Sequence, residues 1–140
     1  MIFCGPRGVG KTTCARIFAN EINKHLNNDL AFNIFELDAA SNRKIDDIRD
    51  LLEKVKIPPQ LGKYKVYIID EVHMLTKEAE NAFLKTLEEP PPHIVFILAT
   101  TNPERVLNTI QSRCQKFDFK RISSNTIFNH IEDIANKESI

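Results

Sequence analysis

Residues Gly5 to Thr12 read G-P-R-G-V-G-K-T, a spacing suited to holding phosphate. Such a run binds a nucleoside triphosphate when an apolar strand precedes it and a helix follows. Here "MIFC" precedes it and "KTTCARIFANEIN" follows. Gly8 and Gly10 permit unusual backbone angles and bring N–H groups close to phosphate oxygens. With Gly5, Pro6, Arg7, Val9 and Thr13 they form the expected cradle. The helix start adds its positive dipole end. Lys11 is expected to reach the β and γ phosphates of ATP, and the Thr12 hydroxyl to ligate Mg²⁺. The bland alternative is a glycine turn at a strand-to-helix junction.

"VYIIDE" ends an apolar strand in two acids, Asp70 and Glu71. Beside a phosphate loop, Asp70 is expected to hold Mg²⁺ through water. Glu71 is expected to orient or deprotonate the attacking water. Thr100 and Thr101 end another apolar strand, where a hydroxyl can touch that water or the γ-phosphate. Arg113, in "QSRCQ", reads either as a surface salt-bridge partner or as an arginine finger for a neighbouring subunit's site. Spacing does not choose between them. His73 reads as a hydrogen-bonded structural histidine rather than a metal ligand. His25, His93 and His130 are scattered. "SNRK" reads as a solvated helix cap, or as a point where Arg43 and Lys44 touch a nucleic-acid phosphate.

The elements that must position these groups alternate along the chain. Strands are expected at "MIFC", "FNIFELD", "YKVYIID", "IVFILAT" and "CQKFDF". The third and fourth are apolar enough to be buried on both faces. A first helix has Ala15, Ile17, Phe18 and Ile22 as its apolar members. A second, capped by Ser or Asn of "SNRK", lines up Ile45, Ile48, Leu51, Leu52 and Val55. A third is capped by Thr76 and stopped by Pro90 to Pro92. "NPERVLNTIQS" forms a short helix or turn. A last helix is capped at Ser124 or Asn125. This alternation predicts an α/β fold: a parallel sheet of five strands with helices on both sides and ligands beyond the carboxyl strand ends.

Composition fits one domain. The 140 residues are 42% hydrophobic and 27% charged, with 19 basic and 19 acidic side chains. That balance argues against a global positive field for nucleic acid. No apolar run spans a bilayer and no signal peptide is evident, which predicts no membrane partner. Cys4, Cys14 and Cys114 are too few and too scattered for a disulfide framework or a zinc site, and read as reduced thiols of a cytoplasmic protein.

"FCGPRGVGKTTCARIFA", "FNIFELDAASN", "IDDIRDLLEKVKIPPQLGKYKVYIIDEVHML", "NAFLKTLEEPPPHIVFILATT" and "IQSRCQKFDFKRI" closely resemble the gamma/tau subunits of bacterial DNA polymerase III, the AAA+ ATPase motors of sliding-clamp loaders. The resemblance runs over nearly the whole chain. It implies a P-loop AAA+ core over residues 1–121 and the first helix of a lid domain over residues 122–140. It implies ATP and Mg²⁺ as ligands, with Lys11, Thr12, Asp70 and Glu71 in the roles given above. It assigns Thr101 as the sensor of the γ-phosphate and Arg113 as the finger for the next subunit. The helix from Ile45 to Val55 and "PPQLG" match the region that faces clamp and DNA. The implied partners are other loader subunits, the sliding clamp, primed-template DNA and the replicative polymerase, in a bacterial cytoplasm. A replication factor C-like or branch-migration motor is the alternative, and a module that has lost hydrolysis is another.

Three departures from the family pattern carry expectations. "NEINKHLNNDLAF" is short and lacks the four cysteines of a zinc module, so no zinc is expected. The chain starts almost at the phosphate loop, and it ends at Ile140 after one lid helix. A site without its base pocket and lid is expected to bind nucleotide weakly and to hydrolyse it slowly.

Overall fold

The computed structural model describes residues 1–24, 33–42 and 44–140. Five parallel strands form one sheet: β1 (Ile2–Cys4), β2 (Ile34–Asp38), β3 (Lys65–Asp70), β4 (Ile94–Thr100) and β5 (Lys116–Asp118), in the order β2-β3-β4-β1-β5. The helices are α1 (Lys11–Ile22), α2 (Ile45–Val55), α3 (Lys77–Glu88), α4 (Asn108–Gln111) and α5 (Ser124–Lys137). The α/β reading of the sequence therefore holds, with the apolar strands β3 and β4 side by side in the sheet. Arg43, His25 and most of the short "NEINKHLNNDLAF" stretch lie outside the described residues, as does the first residue of "FNIFELD".

The period of two along each strand divides the core into two layers. Tyr67 and Ile69 of β3 point to one face, where Ile48, Leu51 and Val55 of α2 and Phe83 of α3 cover them. Val66 and Ile68 point to the other, under Ala15 and Ala19 of α1. Phe83 is fully buried and meets Phe96 edge-on, ring centroids 4.8 Å apart. Burying such a ring is worth about 1.5–3 kcal/mol. None of the residues of α5 is buried.

Three local expectations need correction. In α1, Ile17 is 57% exposed and Phe18 38%, while Ala15 and Ala19 are buried. The small alanines let the helix approach the sheet closely, and Ile17 falls on its far side. The cap of α2 is Lys44, whose N–H donates to the Asp47 carboxylate at 3.4 Å. Ser41 and Asn42 turn back instead: the Ser41 hydroxyl donates to Asp38 Oδ2 at 3.3 Å, and the Asn42 amide to the Asp38 carbonyl at 3.2 Å. Short polar side chains bonding their own turn compete with capping. The cap of α5 is Ser123, whose hydroxyl oxygen accepts the Thr126 N–H at 3.2 Å. That is the third helical residue, the reach a capping serine needs. The Thr76 cap of α3 stands as expected, accepting the Ala79 N–H at 3.3 Å.

Candidate nucleotide site

The carboxyl ends of β1, β2, β3 and β4 open into one cleft of about 370 Å³. Arg7, Gly8, Gly10, Lys11, Thr12 and Thr13 line it from the loop and the start of α1. Asp70, Glu71, Thr101, Asp38 and Ala40 line it from the strand ends. Gly5, Pro6 and Val9 complete the loop.

The loop depends on two glycines for different reasons. Gly10 caps α1 at φ 95°, in the left-handed region where a Cβ is costly. Gly5 lies where the chain passes between β4 and β5, donating its N–H to the Thr100 carbonyl at 3.2 Å. A Cβ on it would stand 2.4 Å from the Phe119 carbonyl oxygen, so any larger residue forces the backbone to shift.

Lys11 is buried, and its ammonium donates to the carbonyls of Gly5 at 2.7 Å and Pro6 at 2.6 Å. A buried cation held by two neutral carbonyls suits an incoming anion. The Thr12 hydroxyl donates to Asp70 Oδ2 at 2.8 Å. Asp70 Oδ1 accepts the Glu71 N–H at 2.9 Å. Glu71 itself sits at φ 50°, ψ 44°, uncommon for a residue with a side chain. Its carboxylate turns towards β4, where Oε2 accepts the Thr101 hydroxyl at 3.0 Å and lies 3.4 Å from His73 Nδ1.

The two threonines at the end of β4 diverge. Thr101 faces the cleft. Thr100 is fully buried, and its hydroxyl meets His73 Nδ1 at 2.9 Å while accepting the Asn102 N–H at 3.1 Å. His73 is buried and hydrogen-bonded, as a structural histidine is.

Arg113 lies outside this cleft. It shares a separate depression with Met1, Ile94 and Cys114, where β1 and β4 begin. Its guanidinium donates to Glu88 Oε1 at 2.8 Å and to the Thr109 carbonyl at 2.7 Å. Asp38, at the end of β2, was not singled out from the sequence. Its place at a carboxyl strand end was the available signal.

The donor set fits a magnesium nucleotide. Thr12 and Asp70 present hard oxygen ligands side by side, and the loop presents amides and one buried ammonium. Among the described residues no group of three or more His, Cys, Asp or Glu side chains gathers as a metal site. No described helix is long and apolar enough to cross a membrane.

The family model described as "DNA polymerase III, delta subunit" matches residues 25–123. The chain is 49% identical to the DNA polymerase III subunit tau of Bacillus subtilis, an alignment covering 99% of this chain and 28% of that protein. The chain thus spans little more than a quarter of that relative. Among solved structures, a DNA polymerase III gamma subunit-related protein of Thermotoga maritima superposes with TM-score 0.76 at 28% identity, over 90% of this chain and 42% of the other. The RuvB Holliday junction branch migration motor of Thermotoga maritima superposes with TM-score 0.73 at 23% identity, over 99% of this chain and 43% of the other. That last likeness is one of fold.

Proposed function

This chain belongs to the family of DNA polymerase III subunits that the delta-subunit model describes and has the P-loop AAA+ fold, and from that premise we propose that it is the ATP-binding and ATP-hydrolysing motor of a clamp loader. The observation that carries the ATPase reading is the joined pair of contacts, Thr12 to Asp70 and Thr101 to Glu71, at the mouth of one glycine cradle. The clamp-loading part rests on the family membership.

In this reading Lys11 exchanges its two loop carbonyls for β- and γ-phosphate oxygens. Thr12 and Asp70 hold Mg²⁺. When bound, that ion neutralises charge on the phosphates. Glu71 orients the attacking water and takes its proton. The Thr101 hydroxyl, now donated to Glu71, is the group that would sense the γ-phosphate. Residues 1–121 form the ATPase core, and α5 opens the helical lid.

Arg113 lies where β1 and β4 begin, whereas the cleft opens where the strands end. This supports a finger presented to a neighbouring subunit. The chain alone then leaves its own site incomplete and turns over slowly, since a finger in trans is worth about 10³- to 10⁵-fold. Assembled with the other loader subunits in the bacterial cytoplasm, binding of ATP would let the complex open the ring clamp and grip primed DNA beside the replicative polymerase. Hydrolysis would release the clamp. The triphosphate thus drives a change of conformation, with no covalent step on DNA. A replication factor C-like or branch-migration motor is one alternative, and a module that has lost hydrolysis is the other.

The test is ATP turnover by the subunit assembled with its loader partners, with and without ring clamp and primed template, beside an Arg113→Ala control. Strong stimulation that is lost in the control supports the reading. Turnover indifferent to clamp and DNA would leave an AAA+ ATPase with a different partner.

A further inference from the structure

Arg113 and Glu88 form an ion pair of 2.8 Å, yet both side chains are well exposed, at 35% and 47%. Exposed pairs of this kind add little to stability. Fold stability therefore gives a weak reason for the contact, and its geometry gives a stronger one. Glu88 is the last residue of α3. Phe83 anchors that helix in the core against Phe96. Pro90, Pro91 and Pro92 follow after Glu89, each with its φ fixed by the ring. The other anchor, the Thr109 carbonyl, comes from α4. Two separate elements thus hold the two terminal nitrogens of one guanidinium.

We propose that Glu88 is a positioning residue for Arg113, bracing its guanidinium in the orientation presented to the neighbouring subunit's triphosphate. The proposal rests on the reading of Arg113 as a finger in trans.

A free arginine side chain has large rotamer freedom, which is lost when it engages a phosphate. The brace removes part of that freedom beforehand, so less is lost at engagement. It leaves the finger competent. A guanidinium has five N–H donors. Two are used here, by Glu88 and Thr109. Among the described residues the other three have no partner, which leaves them to meet phosphate oxygens. Glu88 does not line its own chain's cleft, so its effect should appear in the neighbour's turnover step, with nucleotide affinity unaltered.

The experiment is steady-state ATP hydrolysis by the assembled loader with clamp and primed DNA. It compares Glu88→Ala, Glu88→Gln, Arg113→Ala and the double variant. Glu88→Ala should lower kcat about fivefold, the scale of one exposed ion pair, with KM for ATP unchanged. Glu88→Gln keeps an acceptor oxygen and should recover part of the loss. In the Arg113→Ala background, Glu88→Ala should cost nothing more. Thermal unfolding of the Glu88 variants should stay close to the parent's. If Arg113→Ala abolishes turnover but Glu88→Ala does not lower kcat, the brace is wrong and the finger stands. Faster turnover in Glu88→Ala would also overturn the brace, by making the carboxylate a restraint. A further loss in the double variant would assign Glu88 a purely structural role. An Arg113→Ala complex with full turnover would remove the finger and the brace together.

Discussion

The Thr12 hydroxyl and the Asp70 carboxylate meet at 2.8 Å although 58 positions separate them. This contact ties the start of α1 to the end of β3. It also sets two hard oxygen donors side by side, a pair that would suit the proposed divalent cation. Replacing Asp70 by Asn keeps the shape and the bond to Thr12 but removes the charge. We predict that Asp70→Asn raises the Mg²⁺ concentration for half-maximal hydrolysis roughly 10- to 100-fold, the range seen when groups supporting a metal site are lost. Nucleotide binding measured in EDTA should change little. An unaltered Mg²⁺ dependence would remove Asp70 from the metal site.

Glu71 is held by Thr101 on one side, with His73 beside it, and its own backbone is left-handed. Several neighbours must over-determine such a conformation. Glu71→Gln keeps the acceptor for Thr101 and removes the proposed base. We predict hydrolysis slower by about 10²- to 10⁴-fold, the usual contribution of a positioned general base. ATP should still bind, so a filter assay should find the triphosphate retained. Turnover at the parent rate would favour a module that only holds a complex together.

What the residues disclose in advance follows from how local each cause is. The phosphate loop was legible because its chemistry lies within eight consecutive positions. β3 and β4 were legible because strands buried on both faces must be apolar throughout, and Val66, Tyr67, Ile68 and Ile69 are. Thr76 was legible as a cap because its partner is three residues away. Ile17 misled because amphipathic spacing cannot show that two alanines, rather than the large side chains, meet the sheet. The α2 cap misled because Asp38, on the preceding strand, claims Ser41 and Asn42. The contact of Arg113 with Glu88 spans 25 positions and two helices, so no periodicity could announce it.

Gly5 marks a place where two backbones pass too closely for a side chain. An added Cβ would lie 2.4 Å from the Phe119 carbonyl oxygen and 2.9 Å from its Cβ. Gly5→Ala must therefore push β5 away from β1 or distort the loop. We predict a loss of about 1–3 kcal/mol, the usual cost of overpacking, read as a lower urea midpoint. Nucleotide affinity should fall with it, because the Gly5 carbonyl also holds Lys11. A variant with the parent's midpoint would mean that β5 yields freely at this edge.

Glu80 is only 4% exposed, on the core side of α3, and its Oε1 has no hydrogen-bond partner among the described residues. Burial raises its carboxyl pKa above the ordinary value of 4.5, against weaker lowering by the Leu107 amide and the Lys77 charge. The folded chain thus holds this proton more tightly than the unfolded chain does. The resulting stabilisation is complete below pH 4.5 and is lost as pH rises through the raised folded value. At neutral pH the fold either keeps the group protonated or buries its charge. Glu80→Gln is neutral throughout and keeps an acceptor for Leu107. We predict a melting temperature roughly 3 °C higher at pH 7, the scale of removing one poorly satisfied buried polar charge in a domain of this size. Near pH 4 the two proteins should melt together. Unfolding curves taken from pH 4 to pH 7 test this, and a gain that is equal at both ends would show that the Glu80 proton plays no part in it.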